Sequence, residues 1–314
     1  MRKFPYPKVA APLLRFSIFR LNAPASMIRL DFSIELNYEI LDHASDFIFN
    51  FHAAPTAHQR IVSESLALNQ DIASHIFVAA DTGSRFLRLQ APRGALVVRY
   101  AAVVEIEHVV SVPEQLQEMA IADVPSSALQ FIYPSRYCQS DRLYKLAGRE
   151  FGHLPRGYAR VMAIQQWIRH RTAFTSNTSN SSTSALDTII EQVGVCRDFA
   201  HLMIALCRAS NIPARFVTGI DYGANPRLGP IDFHAYVEVM LSGRWYVFDP
   251  SGVSPPMGLV RLGTGRDAAD VAFATVFGAI SSQPPVITIE PIIDVERGWQ
   301  LPFHTDAALS TAET

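Results

Sequence analysis

One amphipathic helix stands directly before three strands in this sequence. The segment GVCRDFAHLMIALCRASNIPARFV (194–217) has helical spacing until Pro213, after which the residues are typical of a strand. DFHAYVEV (232–239) and RWYVFDPSG (244–252) follow as two strands around Ser242-Gly243, which is a tight-turn signal. A helix joined in this way to an antiparallel hairpin predicts an α+β fold.

Three residues of these elements have the chemistry of an activated thiol. Cys196 opens the helix, where free backbone N–H groups and the helix dipole favour a thiolate. His234 can take the thiol proton, and Asp249 can orient the imidazole. Counted outward from the turn, His234 and Asp249 both lie an even number of positions away, so both can project from one face of the hairpin.

The same segments resemble a known family. GVCRDFAHL, IPARFVTG, HAYVEV and WYVFDPSG are similar to the core of the bacterial transglutaminase-like superfamily, whose site follows the logic of papain-type cysteine peptidases. The resemblance covers about residues 155–255. It implies a papain-like core in which Cys196, His234 and Asp249 form a catalytic triad, and no metal or organic cofactor.

Two further stretches resemble one bacterial subfamily. They are PSRYCQSD (134–141), before the core, and TGRDAADVAF (264–273), after it. We therefore expect Gly263–Asp270 to pack against the catalytic domain near its cleft. Arg266 and Asp267 would there pair with each other or contact substrate, or else form a solvated turn.

The domain organisation is predicted from changes in the residue pattern. Residues 1–26 have no unbroken apolar stretch and are predicted to be an N-terminal extension outside the fold, with an ordinary first strand as the alternative. Six strand-like runs separated by turn signals predict an antiparallel β-sandwich domain over 27–112. A connector with a helix follows over 113–155, then the catalytic core over 156–255. Residues 256–314 are expected to pack on that core.

Four other residues of the core have either a functional or a structural interpretation. Cys207 is predicted to be a buried core thiol on the same side of the helix as Cys196. Cys138 is either a loop thiol, which we favour, or a second functional thiol. His201 falls on another helix face and is expected to be structural. Asp198 opposes thiolate formation but can cap the first turn of the helix.

The sequence predicts only one of the two hydrogen-bond donors of an oxyanion hole. The backbone N–H of Cys196 is a natural donor because it lies at the start of the helix. Gln192 and Trp167 are weak candidates for the second donor, and each is expected to be structural instead.

Composition narrows the functional classes. The chain has 314 residues with a formal net charge of -2, which gives no electrostatic reason for a nucleic-acid or membrane partner. Three cysteines and the lack of a signal-like N-terminus favour a reducing, cytoplasmic compartment. The ten histidines show no metal-binding spacing. The oligomeric state stays open.

The predicted chemistry is thiol-dependent acyl transfer on a peptide or protein amide. Three functions are compatible with it: a cysteine peptidase or amidase, in which water takes the acyl group; a protein-glutamine transglutaminase, in which a lysine amine takes it; and a non-catalytic binding protein on the same fold. An intact triad argues against the third function, and we favour hydrolysis over transfer.

Overall fold

The computed structural model describes residues 27–224 and 231–312. The predicted N-terminal extension, residues 1–26, lies outside the described residues. The α+β class is confirmed, with an N-terminal β-rich domain followed by a mixed core. Within these two ranges, no helix has the length and apolarity that a membrane crossing requires.

The N-terminal domain is an antiparallel sheet, as predicted. Its six strand-like runs become four strands, because two long strands each join two runs. The strands form one continuous hydrogen-bonded sheet in the order β1-β4-β2, with β3 beside β4, rather than two separate sheets. They are β1 (Met27–Phe49), β2 (Gln59–Leu68), β3 (Ser74–Val78) and β4 (Arg85–Glu107).

One face of this sheet stays buried along its whole length. On β1 the buried apolar side chains have even numbers from Ile28 to Ile40 and odd numbers at Phe47 and Phe49. The pairing of β1 with β4 is irregular between Ile40 and Ala44, where the parity changes. Both sets of side chains belong to one hydrophobic cluster, so the irregularity acts as a bulge that bends the sheet around its core.

The connector is mostly irregular and ends in a short helix. Strand β5 (Val109–Ser111) is followed by 3₁₀ turns, the last of which spans Ser140–Arg142. Helix α1 (Tyr144–Phe151) then begins just after this turn, within the predicted connector. It contributes buried residues to the core of the catalytic domain.

Three more helices follow and include the predicted nucleophile helix. Helix α3 begins after Ser184, whose backbone N–H and hydroxyl both donate to the Asp187 carboxylate at 2.8 and 2.7 Å. Short strands β6 (Ala173–Phe174) and β7 (Val193–Gly194) pair in parallel before the last helix. The three helices are α2 (Tyr158–Arg171), α3 (Ala185–Glu191) and α4 (Cys196–Ala209).

Helix α4 lies at the centre of the catalytic domain. Every residue from Asp198 to Ala209 is buried. On one side α4 packs against strands β8 and β9, and on the other against α1, α2 and α3. The sheet beside it is antiparallel in the order β10-β9-β8-β11. Its strands are β8 (Ala214–Asp221), β9 (His234–Leu241), β10 (Arg244–Phe248) and β11 (Leu259–Gly265).

The C-terminal segment divides between the two domains. Residues 256–314 are expected to pack on the core, and of these residues β11 pairs with β8. The next three strands instead pair with β1 and complete the N-terminal sheet, because β1 offers a free edge opposite β4. The last strand pairs with β5. The four are β12 (Ala274–Phe277), β13 (Ile280–Ser282), β14 (Val286–Pro291) and β15 (Ala308–Ser310).

The two domains share part of one hydrophobic core. Ile220 of β8 and Val260 and Leu262 of β11 belong to the cluster that fills the N-terminal sheet. The sheet of the catalytic domain therefore packs on α4 through β8 and β9 and meets the N-terminal domain through residues of β8 and β11. Apolar burial of this extent fixes the relative position of the two sheets.

A test of this arrangement compares two residues of β14. Ile289→Ala is expected to lower the free energy of unfolding by about 2–4 kcal/mol, since the side chain is buried in the shared core. Val286→Ala on the same strand should change it by less than about 0.5 kcal/mol, because Val286 is exposed. Urea unfolding followed by circular dichroism gives both values. Equal effects would contradict an integral role for β14.

Candidate active site

The start of α4 is fixed by a capping interaction of Asp198. The Asp198 carboxylate accepts a hydrogen bond from the backbone N–H of Val195 at 2.9 Å and one from the Ser179 hydroxyl at 2.9 Å. Gly194 allows this close approach, because a Cβ there would stand 2.8 Å from the Asp198 Cβ. The capping role predicted for Asp198 is confirmed. Its effect is that Cys196 becomes the first helical residue.

Arg197 attaches a polar loop to the same helix start. Its guanidinium donates to the Ser179 hydroxyl and, at 2.7 Å, to the carbonyl oxygen of Asn180. It also lies 3.7 Å from the Asp198 carboxylate. The Ser-, Thr- and Asn-rich loop is thereby held beside the half-buried Cys196.

His234 and Asp249 meet at the end of the hairpin. The turn at Ser242-Gly243 has positive φ at both residues, as a tight hairpin requires. The register places Val237 opposite Phe248, so Asp249 comes just after the last paired position and reaches His234 diagonally. The His234 Nε2 atom lies 3.4 Å from the Asp249 Oδ1 atom, and both side chains are buried.

The Asp249 carboxylate is further held by the loop that follows it. Its Oδ1 atom accepts hydrogen bonds from the Ser251 backbone N–H at 2.9 Å and the Ser251 hydroxyl at 2.6 Å. Its Oδ2 atom accepts from the Ser254 backbone N–H at 3.4 Å. Burial alone would raise the pKa of Asp249, but the charge of His234 and these hydrogen bonds lower it to about 2.

The electrostatics of the site favour a charged imidazole. Burial alone would lower the pKa of His234, yet the charge and hydrogen bonding of Asp249, together with Cys196, hold this pKa well above its ordinary value. The contribution of Cys196 to this rise indicates that its thiol lies near the ring. The imidazolium form therefore persists as the pH rises above the usual range of histidine, and is lost only when the pH passes the raised pKa.

The structure thus brings Cys196, His234 and Asp249 into one place. Each comes from a different element: the tip of α4, the first residue of β9 and the loop after β10. Since Nε2 of His234 is turned to Asp249, Nδ1 is the ring nitrogen left for the thiol. A thiol, an imidazole and a carboxylate in this order can form a thiolate–imidazolium pair. Their catalytic roles are taken up below as a proposal.

Arg169 is a contributor that the sequence did not suggest. Its guanidinium donates to the backbone carbonyl oxygens of Asp249 at 2.5 Å and of Pro250 at 3.2 Å. Gly252, with φ of +69°, leaves room for it, since a Cβ there would approach the guanidinium to 3.0 Å. Arg169 lies in the last turn of α2, so it fixes the loop of Asp249 to a distant helix. No local pattern signals such a contact.

Asp221 is a second residue that the sequence did not assign to the site. It ends β8, and its Oδ2 atom lies 3.6 Å from the His234 Nδ1 atom. Only 3% of its surface is exposed. The imidazole thus has one carboxylate near each of its ring nitrogens.

The two other cysteines lie in the core. Cys207 is buried as predicted, and burial raises the pKa of its thiol. Cys138 is also fully buried, and burial raises the pKa of its thiol to about 12. The interpretation of Cys138 as a loop thiol is thus refined: it is a core thiol and has no access to a cleft. Both belong to the cluster around α4.

The remaining candidates have structural contacts. His201 is fully buried, stacks on Tyr137, and accepts a hydrogen bond from the Ala268 backbone N–H at 3.2 Å. The Trp167 indole N–H donates to the Glu150 carboxylate at 3.0 Å. Gln192 takes a left-handed conformation that ends α3. These contacts account for the three residues without a role at the nucleophile.

The segment Gly263–Asp270 packs against the catalytic domain through α4. Arg208 of α4 donates to the backbone carbonyl oxygen of Arg266, while the Asp267 carboxylate accepts from the Tyr137 backbone N–H at 2.9 Å. Arg266 pairs with Asp270 at 2.9 Å rather than with Asp267. The segment packs on the domain as expected, but the expected position near the cleft is wrong, because these contacts are made along α4 and not at Cys196.

Comparisons with known proteins agree with this geometry. The transglutaminase-like superfamily core matches residues 146–250, and the bacterial transglutaminase N-terminal domain matches residues 28–127. A crystal structure from Cytophaga hutchinsonii, provisionally described as a cysteine protease, is 39% identical with a TM-score of 0.84. That match covers 90% of this chain and 97% of the other.

Two mycobacterial proteins are similar over shorter stretches. An uncharacterised protein of Mycobacterium leprae (strain TN) is 31% identical over 199 residues, which are 59% of this chain and 68% of that protein. One of Mycobacterium tuberculosis (strain ATCC 25618 / H37Rv) is 28% identical over 145 residues, 43% of this chain and 44% of that protein. This chain therefore matches less than half of the latter.

The fold, the site and the comparisons together define the class of this protein: thiol-dependent enzymes that share a papain-like core. The chain belongs to the transglutaminase-like superfamily, and it carries the N-terminal domain found in bacterial transglutaminases.

The geometry predicts selective alkylation of one thiol. Cys196 is expected to react with iodoacetamide near neutral pH at least about 100-fold faster than Cys138 or Cys207, because it is half-exposed and beside His234 while the others are buried. Brief labelling followed by peptide mass mapping measures the three rates. Labelling of Cys138 at an equal or higher rate would contradict an activated Cys196.

Proposed function

We propose that this chain is a cysteine peptidase or amidase that uses Cys196, His234 and Asp249 as a catalytic triad. The observation that carries the proposal is the meeting of the half-buried Cys196 thiol with a buried imidazole whose other nitrogen faces a buried carboxylate. A site of this kind can activate a nucleophile at neutral pH without a metal ligand or an organic cofactor.

The first half of the reaction forms a thioester. The thiol proton of Cys196 moves to Nδ1 of His234, and the thiolate attacks the carbonyl carbon of the substrate amide. The new C–S bond forms while the carbonyl electrons move to oxygen. As the C–N bond breaks, Nδ1 returns its proton to the departing amine. Asp249 keeps the ring oriented and stabilises its charge in both steps.

The developing oxyanion needs hydrogen-bond donors near the thiol. The backbone N–H of Cys196 lies in the first turn of α4, where helix N–H groups have no carbonyl partner four residues before them. It is therefore a suitable donor, and the helix dipole adds to its effect.

The second half of the reaction is hydrolysis. His234, now neutral, takes a proton from water, and the hydroxide oxygen attacks the thioester carbon. The C–S bond breaks, the thiolate returns, and a carboxylic acid leaves. The enzyme then holds the same thiolate–imidazolium pair with which it started.

Two observations support water as the acceptor rather than a lysine amine. The two carboxylates near the imidazole, Asp221 and Asp249, are 3% and 1% exposed, so neither presents its charge to an approaching lysine side chain. The structure from Cytophaga hutchinsonii, which aligns with most of the chain, is described provisionally as a cysteine protease. Peptide or protein amides are the proposed substrates.

A cytoplasmic location is part of the proposal. The three cysteines are free, and two of them are buried in the core around α4. Thiols in this arrangement suit a compartment that keeps cysteine reduced. Fusion to a reporter that is active only outside the cytoplasm would test it, and strong reporter activity would overturn this part of the proposal.

The triad roles predict different effects for two substitutions. His234→Ala should reduce kcat/KM for a peptide amide to the level of Cys196→Ala, because the imidazole is the base that takes the thiol proton. Asp249→Asn should lower it by about 100-fold to 10,000-fold and leave measurable turnover, since an amide can still orient the ring. Circular dichroism must show that all three variants fold. Near wild-type rates for His234→Ala would refute the triad.

The choice between hydrolysis and transfer is testable in one reaction mixture. Hydrolysis of a peptide amide is expected to exceed incorporation of a fluorescent primary amine into a casein acceptor at millimolar-scale amine. Cys196→Ala serves as the control for both rates. Amine incorporation that exceeds hydrolysis would refute the proposed hydrolytic function and establish a transglutaminase. A chain that binds peptides and performs neither reaction would instead be a binding protein on this fold.

A further inference from the structure

Asp221 places a second buried carboxylate against the imidazole, on the side opposite Asp249. The register pairs Gly219 of β8 with His234 of β9. Asp221 lies two residues after Gly219, so it shares the face of the sheet from which His234 projects. Its Oδ2 atom reaches to 3.6 Å from Nδ1. This is the nitrogen that Asp249 leaves to the thiol.

The position of this carboxylate is set by rigid structure. Asp221 is paired with Leu259 of β11, and the following residue, Tyr222, donates its backbone N–H to the Gly258 carbonyl oxygen at 2.9 Å. The end of β8 is therefore held by β11, two residues beyond its last pair with β9. A side chain on such a strand end keeps its direction better than one on a free loop.

The Asp221 Oδ2 atom has no hydrogen-bond donor among the described residues, although it is buried. Asp249 differs, because Ser251 and Ser254 donate to both of its oxygens. A buried acceptor without a partner is costly. An Nδ1–H of His234, 3.6 Å away, can relieve this cost; this donor exists when the ring is charged or when the proton rests on Nδ1.

We propose that Asp221 is a positioning residue for His234, which holds the protonated ring nitrogen between itself and the thiol of Cys196. The inference rests on the proposed triad and extends it. In the reaction, Nδ1 must carry the proton from the thiol to the leaving amine. A fixed carboxylate beside that nitrogen keeps the ring from turning and favours its charged form until the amine departs.

Among residues 27–224 and 231–312, the charged and titratable groups that face the ring come from three elements. Cys196 comes from α4, Asp221 from β8 and Asp249 from the loop after β10. Arg169 of α2 contacts the backbone of that loop and not the ring. Loss of the Asp221 charge should therefore affect both partners of the thiolate–imidazolium pair.

The direction of both effects follows from electrostatics. A negative charge beside the pair opposes formation of the thiolate, so its removal lets the thiolate form at lower pH. The same charge favours the imidazolium, so its removal lets the ring lose its proton at lower pH. A neutral residue at position 221 should therefore move both titration steps, formation of the thiolate and loss of the imidazolium proton, to lower pH.

The test uses the pH dependence of Cys196 alkylation by iodoacetamide, which needs no substrate. In Asp221→Asn, both steps of the rate profile are expected to move to lower pH by about one unit relative to wild type. Asp221→Ser is a smaller neutral replacement and should move them in the same direction. Asp267→Asn is the matched control: its carboxylate is equally buried but binds Tyr137 and Ala269, so the profile should stay unchanged.

The outcomes separate the two proposals. If wild-type Cys196 reacts no faster than free cysteine at neutral pH, the triad fails and this inference fails with it. If wild type is reactive, and every Asp221 variant that folds leaves both steps in place, Asp221 is only a structural residue. A shift in one neutral variant that folds, with Asp267→Asn unchanged, establishes the positioning role.

Discussion

Burial of α4 is the interaction on which the rest of the structure depends. The helix is enclosed by strands β8 and β9 on one side and by three helices on the other, so that only its first residues reach the surface of the domain. The apolar free energy of the whole core therefore holds Cys196 in place. Asp198 adds the local condition, because its cap decides which residue is the first of the helix. Cys196 is therefore positioned by the buried helix and its cap rather than by contacts of its own side chain.

The sequence predicted what depends on local pattern. Helical spacing gave α4, the Ser242-Gly243 turn gave the hairpin, and strand parity brought His234 and Asp249 to one face. It did not predict that β14 pairs with β1, since such pairing joins residues more than 250 positions apart and leaves no local signal. Asp221 and Arg169 were not predicted for the same reason. Each acts on the site through a contact with a residue that is distant in sequence, His234 or the Asp249 backbone. The six predicted β runs also became four strands, because a bulge lets one strand continue through a change of parity.

One face of the catalytic sheet, β10-β9-β8-β11, carries opposite net charges at its two ends. His234, Tyr236 and Glu238 alternate along β9 on that face. At the first end stand Asp221 and Asp249, and at the other Glu238 lies between Arg215 and Arg261. Buried Tyr236 separates the two groups. The excess of cations at one end partly offsets the excess of carboxylates at the other, within a sheet that is shielded from solvent ions.

The completion of the N-terminal sheet by the last strands has a consequence for synthesis of the protein. Glu290 pairs with Asp31, so β1 waits for a strand that is synthesised more than 250 residues later. Until then one edge of β1 has unpaired backbone groups over most of its length, which is a template for wrong pairing. Contacts of such long range slow folding and expose intermediates to aggregation. The thiol site, whose segments lie between these strands in the sequence, can be built earlier than the sheet that flanks it.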